Sequence, residues 1–280
     1  MSIITISRGT FSGGKAFAES LANRLRYQAI GDEVILEAAC KYGIPPEKLS
    51  AAMNRPPSIW EQLTGNRRVC LNCVRAVLCE RAIGGDLVYY GRAGHLLLAG
   101  ISHVIRVRLI AGLENRVKQA MEREHWQRRD AVNYIKKTDQ GRAKWTRFFF
   151  GVERHDASLF DATLNLSRMS MEEACEVVAQ LTELPNFRPT PASQKAMENL
   201  ALSSRVRAVL AQEPRTAAAR VHVTVDEGIV TVTGTGRSDS RLEAIPQVLA
   251  QVEGIQEVRC YSGKDSFYVQ PFVNRRMSNT

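Results

Sequence analysis

Ile3-Ile4-Thr5-Ile6-Ser7-Arg8-Gly9-Thr10-Phe11-Ser12-Gly13-Gly14-Lys15, followed at helical spacing by Phe17, Leu21 and Leu25, decides how this chain is read. An apolar run gives way to a glycine-rich loop and then to one apolar face of a helix, which is strand, loop, helix. Gly9, four intervening residues and Gly14-Lys15 fit the spacing G-x-x-x-x-G-K-[ST]. In that pattern, glycines let backbone N–H groups converge on phosphate and the Lys reaches the terminal phosphates. The positive end of the following helix faces the same anion. Gly9, Ser12, Gly13, Gly14 and Lys15 are therefore the expected nucleotide cradle. Ala16 stands where a Ser or Thr hydroxyl normally meets Mg²⁺. The alternative is a plain glycine-rich turn that closes a strand onto a helix.

The rest of the composition narrows the partners. A chain of 280 residues makes one large or two smaller domains, and an apolar fraction of 44% can build a core. The net charge of +9 favours anionic ligands such as nucleotides, nucleic acid or an acidic membrane surface, without choosing among them. No run of about 18 apolar residues is present, so no integral membrane segment is expected and the location predicted is cytoplasmic. Cys70-Leu71-Asn72-Cys73 has neither a second pair nor a nearby His, and the six cysteines read as reduced thiols.

Downstream, strands and helices alternate. Gln28-Ala29-Ile30 is a short strand, and Asp32, at its carboxyl end before a helix from Glu33 to Tyr42, is either a substrate contact or a helix N-cap. Pro45-Pro46 and Pro56-Pro57 bracket a short helix. A helix from Asn66 to Ile83 stops at Gly84-Gly85. The strand Asp86–Tyr90 leads to Gly91-Arg92-Ala93-Gly94-His95, where Arg92 can grip a phosphate or carboxylate or form a surface ion pair. His95 reads as a packing or capping residue. Val104–Ile110 is a strand with a polar face, and a long helical region from Leu113 to Lys137 ends in Thr138–Arg142 and the aromatic run Trp145–Phe150. Cations along it would suit a flap that closes over polyphosphate, or simply a solvated face. After the strand Asp161–Leu166, Ser170 and Glu173 form a capping box. This alternation predicts an α/β fold, a parallel sheet with helices on both faces.

Pro185–Pro191 reads as a linker. Beyond it lie a helix through Leu200 and Leu210, the hairpin strands Val221–Val225 and Ile229–Gly234, a second helix from Leu242 to Val252 and a strand from Ile255 to Cys260. The predicted domains are 1–184, a Pro-rich linker 185–196, a small α+β (αββαβ) unit 197–264 and a frayed tail 265–280.

Several motifs carry a resemblance. Ile4-Thr5-Ile6-Ser7-Arg8, Ser12-Gly13-Gly14, Gly91-Arg92, Lys136–Arg142, Phe160-Asp161 and Leu164-Asn165 resemble the cytidylate-kinase-like branch of the P-loop nucleoside monophosphate kinases. Glu227–Gly234 and Val252–Val258 look like a BON domain, a module associated with phospholipid or other ligands. The first resemblance implies ATP-dependent phosphoryl transfer to a nucleoside monophosphate, CMP or dCMP, with ATP and Mg²⁺ as cofactors. It implies that Lys15 and the loop amides hold the donor, that Asp32 and Arg92 face the acceptor, and that Lys137 and Arg142 close from a lid as catalytic cations beside Lys15. No metal ligand is assigned. The departures are Ala16, Phe17 and Ala93, the last standing where cytidylate kinases carry Asp. The competing reading is a catalytically weak or inactive nucleotide-binding regulatory protein whose second domain engages a lipid or protein partner. Nucleotides are favoured over nucleic acid as ligands.

Overall fold

The computed structural model describes residues 2–55, 66–217, 219, 221–234, 239–262 and 268–273. The Pro56-Pro57 pair lies outside the described residues. By the density of its contacts the chain divides into two compact units, Met1–Gly65 with Gly84–Ser193, and Asn66–Ile83 with Gln194–Thr280.

The first unit is built on five strands, β1 (Ile3–Arg8), β2 (Gln28–Ile30), β3 (Leu87–Tyr89), β4 (Val104–Ile110) and β5 (Ala162–Asn165). Their order is β2-β3-β1-β4-β5 and every pairing is parallel, with Thr5 opposite both Tyr89 and Arg106. Burial on both faces explains why β1 carries the near-continuous run Ile3, Ile4, Thr5 and Ile6, each at most 2% exposed. Helix α1 (Gly14–Leu25) lays Phe17, Ala18 and Leu21 into a core with Val88, Ile105, Val107 and Val178. Full burial of a side chain the size of Phe17 or Leu21 contributes roughly 1.5–3 kcal/mol. Between the strands run α2 (Glu33–Tyr42), α3 (Pro46–Asn54) and the single turn α5 (Gly94–Leu97).

Two helices follow β4, α6 (Leu113–Glu124) and α7 (Arg128–Phe150). The break between them falls at His125, which takes the left-handed conformation at φ 56°. Helix α7 runs without interruption through Thr138–Arg142 and the aromatic run, so the segment expected to end the helix lies inside it. Helix α8 (Met171–Glu183) opens on the predicted capping box: Ser170 Oγ accepts from the Glu173 N–H at 3.2 Å, and Glu173 Oε2 accepts from the Ser170 N–H at 2.8 Å. On β4, Arg106 pairs with Asp161 at 2.6 Å and Arg108 donates to the Arg154 carbonyl at 2.7 Å, which accounts for the strand's polar face.

Most of the stretch read as a linker is structured. Pro185–Phe187 forms a 3-10 turn and α9 (Pro191–Gln212) begins at Pro191. Thr190 and Ser193 exchange backbone-to-hydroxyl hydrogen bonds at 3.1 and 2.9 Å, and Pro191 occupies the first helical position, where its missing N–H costs nothing.

In the second unit, α9, α10 (Asp239–Leu249) and a four-stranded sheet enclose a core of Val206, Leu210, Val223, Val232, Ile245 and Val258. The sheet order is β6 (Val221–Asp226), β7 (Ile229–Gly234), β8 (Glu257–Ser262) and β9 (Tyr268–Val273). β6 pairs antiparallel with β7, β7 parallel with β8, and β8 antiparallel with β9. The αββαβ order is as predicted, whereas β9 lies in the stretch read as a frayed tail. Helix α4 (Asn66–Ile83) belongs to this unit: Arg205 Nε donates to Glu80 Oε1 at 3.0 Å, and Cys79 Sγ lies 3.7 Å from Ser204 Oγ.

Candidate phosphate-binding site

β1 and β3 are neighbours, but the chain leaves β1 toward β2 and leaves β3 toward β4. A crevice therefore opens between their carboxyl ends. The loop after β1 takes left-handed turns at Phe11 (φ 56°) and Gly13 (φ 76°), and Ser12 Oγ donates to the Gly9 carbonyl at 2.9 Å. Gly14 must be glycine because Arg8 crosses directly over it, and a Cβ there would overlap the Arg8 side chain.

A carboxylate from α7 braces this loop. Asp139 Oδ1 accepts from the Thr10 N–H at 3.2 Å and from Thr10 Oγ1 at 2.8 Å, while Asp139 Oδ2 pairs with Arg116 at 2.5 Å. Arg116 Nε donates in turn to the Thr10 carbonyl at 2.9 Å. Burial would raise the Asp139 carboxyl, but these hydrogen bonds and the Arg116 and Arg154 charges hold it below the ordinary carboxylate range.

Four guanidinium groups converge on the cavity beside the loop, from Arg8, Arg92, Arg142 and Arg154, and Asp32 is the one carboxylate among its described lining residues. Arg8 Nη1 donates to the Tyr90 carbonyl and stacks on the Tyr90 ring. Arg92 Nη2 donates to Asn54 Oδ1 at 3.0 Å, and its guanidinium carbon lies 5.4 Å from the centre of the Trp145 ring. Trp145 is fixed by its own Nε1–H, which donates to the Ala52 carbonyl at 2.8 Å. Arg142 and Arg154 both donate to the Arg8 carbonyl. All four arginines are pushed below the ordinary range by burial first; burial together with repulsion from Arg142 and Arg154 takes Arg92 down to about 9, and burial together with repulsion led by Arg142 takes Arg154 to about 10. Like charges held this closely need an anion, and the planar forks suit a phosphate.

Of the residues picked out in the sequence, Asp32, Arg92 and Arg142 line this cavity. Asp32 holds the N-cap position of α2, yet its side chain makes no capping bond. Lys15 is exposed on the first turn of α1, with Nζ 3.7 Å from Glu19 Oε1. Lys137 is exposed on α7 and does not line the cavity. Arg8, Arg116, Asp139 and Arg154 escaped the sequence reading as site residues. Arg8 lies in the motif Ile4–Arg8 and Asp139 in the motif Lys136–Arg142, whereas nothing in its spacing marks Arg154.

His95 also lines the cavity, packs on Phe160 at 4.7 Å between ring centres, and keeps Nε2 buried without a hydrogen bond among the described residues. Burial, then the charges of Arg154, Arg106 and Arg108, push it down to about 4 from 6.5. The unfolded chain therefore takes up this proton first, and stability is lost as pH falls from about 6.5 toward 4. The expected loss from this group at pH 5 is on the order of 2 kcal/mol. Urea unfolding at pH 7 and pH 5 should show a smaller pH effect in His95→Asn than in the wild type. An equal effect in both proteins would remove His95 as the cause.

Among the described residues no helix is long and apolar enough to cross a membrane, and no group of three or more His, Cys, Asp or Glu side chains could hold a metal ion.

Residues 199–260 match the BON domain. The chain is 25% identical over 185 residues to the cytidylate kinase of Methanopyrus kandleri, covering 63% of this chain and 90% of that one. It is 26% identical over 186 residues to the cytidylate kinase of Staphylothermus marinus, covering 65% and 97%. A solved structure of an uncharacterized protein from Eubacterium ventriosum shares the fold, at TM-score 0.50 and 21% identity over 65% of this chain and 98% of that one. The sequence pattern of the cytidylate kinase-like family spans residues 3–168, from the first strand through the cavity arginines to the last strand of the parallel sheet, and the chain belongs to that family.

Proposed function

We propose that the first unit transfers the γ-phosphoryl group of ATP to the phosphate of a nucleoside monophosphate, with CMP or dCMP as acceptor. The observation that carries this reading is the convergence of Arg8, Arg92, Arg142 and Arg154 on one cavity beside a glycine loop and a helix N-terminus. The names of the two cytidylate kinase relatives support the choice of acceptor. The loop and the start of α1 hold the donor phosphates; Arg92, Arg142 and Arg154 hold the acceptor phosphate. An acceptor oxygen then forms a bond to the γ-phosphorus as the bond to the β-phosphate oxygen breaks, leaving ADP. The protein's part is positioning and charge neutralisation. Ala16 supplies no hydroxyl and Asp139 is already engaged by Thr10 and Arg116, so these residues do not build a Mg²⁺ site and no step is assigned to the metal.

The test is a phosphoryl-transfer screen with ATP, Mg²⁺ and a panel of nucleoside monophosphates. ADP should form with CMP or dCMP above the level without acceptor. No turnover with any acceptor would return the protein to the second reading, a nucleotide-binding regulatory protein whose BON-type unit engages a lipid or protein. That reading draws on Ala16 and on the Lys15–Glu19 ion pair.

A further inference from the structure

The loop's own lysine and the arginine before the loop occupy contrasting positions. Lys15 is 59% exposed at its side chain and engaged with Glu19 on the same helix. Arg8 leaves β1 at the level of the loop, and its methylenes fill the space over Gly14 that any larger residue would need. Its guanidinium is anchored at the end of β3 by the Tyr90 carbonyl and the Tyr90 ring. Arg8 thus touches the first residue of α1 and also lines the cavity shared with Arg92, Arg142 and Arg154.

We propose that Arg8, rather than Lys15, is the cation that contacts the terminal phosphate of the donor nucleotide. This assignment rests on the kinase reading for its catalytic consequence, but its binding consequence stands alone. The Arg8 guanidinium lines the cavity, largely desolvated and held by the Tyr90 carbonyl, so a phosphate reaching from the α1 N-terminus into that cavity would meet a charge already in place. A pre-organised charge of that kind acts more strongly than a flexible lysine drawn in from water. The competing explanation is that Arg8 is a strap that ties the loop to β3 and touches no ligand.

The difference is measurable as the preference for ATP over ADP, because only ATP carries the terminal phosphate. Dissociation constants for both nucleotides should be measured by calorimetry with the full chain, for the wild type, Arg8→Gln, Arg8→Lys and Lys15→Ala. Losing a charge-assisted contact to the terminal phosphate should shrink the ATP-over-ADP ratio by about tenfold or more in Arg8→Gln, against less than about threefold in Lys15→Ala. Arg8→Lys keeps the charge and the packing over Gly14 but not the planar fork, and should fall between wild type and Arg8→Gln. If Arg8→Gln does not fold, a severalfold loss of the ratio in Arg8→Lys supports the assignment in its place. A ratio unchanged in the Arg8 variants, or one lost more in Lys15→Ala, overturns the assignment. The kinase reading fails separately, when wild-type protein forms no ADP with any acceptor, and the nucleotide ratio still decides the role of Arg8.

Discussion

Arg92→Ala is expected to lower kcat/KM for the acceptor by on the order of 10³, because two charge-assisted hydrogen bonds to a phosphate contribute roughly 1.5–3 kcal/mol each. The donor should be little affected. Arg92 stands just beyond the end of β3, is stacked on a buried Trp145 and is held by Asn54, while its Nε makes no hydrogen bond among the described residues. That geometry leaves part of the fork for a ligand and fixes the rest. Arg92→Lys should recover little of the loss, since an ammonium offers a point charge in place of a fork. Steady-state kinetics with varied acceptor, beside calorimetry with ATP, separate the two effects. A loss confined to ATP affinity, or full rescue by lysine, would place Arg92 outside the acceptor site.

A fragment ending at Leu184 is expected to unfold well below the full chain. Two independent domains joined at a Pro-rich linker would predict the opposite, a fragment as stable as its parent. Helix Asn66–Ile83 lies inside that fragment by sequence, but it forms a compact unit with residues 194–280. Cutting at Leu184 removes Ser204 and Arg205, the partners of Cys79 and Glu80. It also leaves that helix, on which Val74, Val77 and Leu78 are buried in the full chain, without the rest of its unit. Burying several such side chains contributes roughly 1.5–3 kcal/mol each, a large share of the 5–15 kcal/mol by which domains are usually stable. Thermal unfolding followed by circular dichroism, with dye binding to exposed apolar surface, should show an earlier transition and more dye bound. A fragment that melts with the parent and binds no dye would restore the two-domain division at Leu184.

The elements that could be read from the sequence are those whose signal is local. The β1–loop–α1 start, the helix Glu33–Tyr42, the strand Val104–Ile110 and the Ser170–Glu173 box fall where their patterns place them. The interruption between α6 and α7 was hidden because it turns on a left-handed His125, with neither glycine nor proline to mark it. Gly141 misleads in the other direction, a glycine inside a continuous helix. At the site, strand ends revealed Asp32 and Arg92, since carboxyl edges of parallel strands are where ligands bind. The Asp139 brace could not be read this way. It joins a helix interior to a loop 129 residues earlier in the chain, and no local period records that pairing.

The joining of helix Asn66–Ile83 with the C-terminal region also bears on how the chain is made. During synthesis this helix leaves the ribosome roughly a hundred residues before its partners, an interval of about 5–20 s at ordinary elongation rates. Over that interval Cys70, Cys73 and Cys79, all buried in the finished protein, stand on a helix whose unit is incomplete. The nascent first half is thus the stage at which this protein depends most on protection from aggregation and from thiol oxidation.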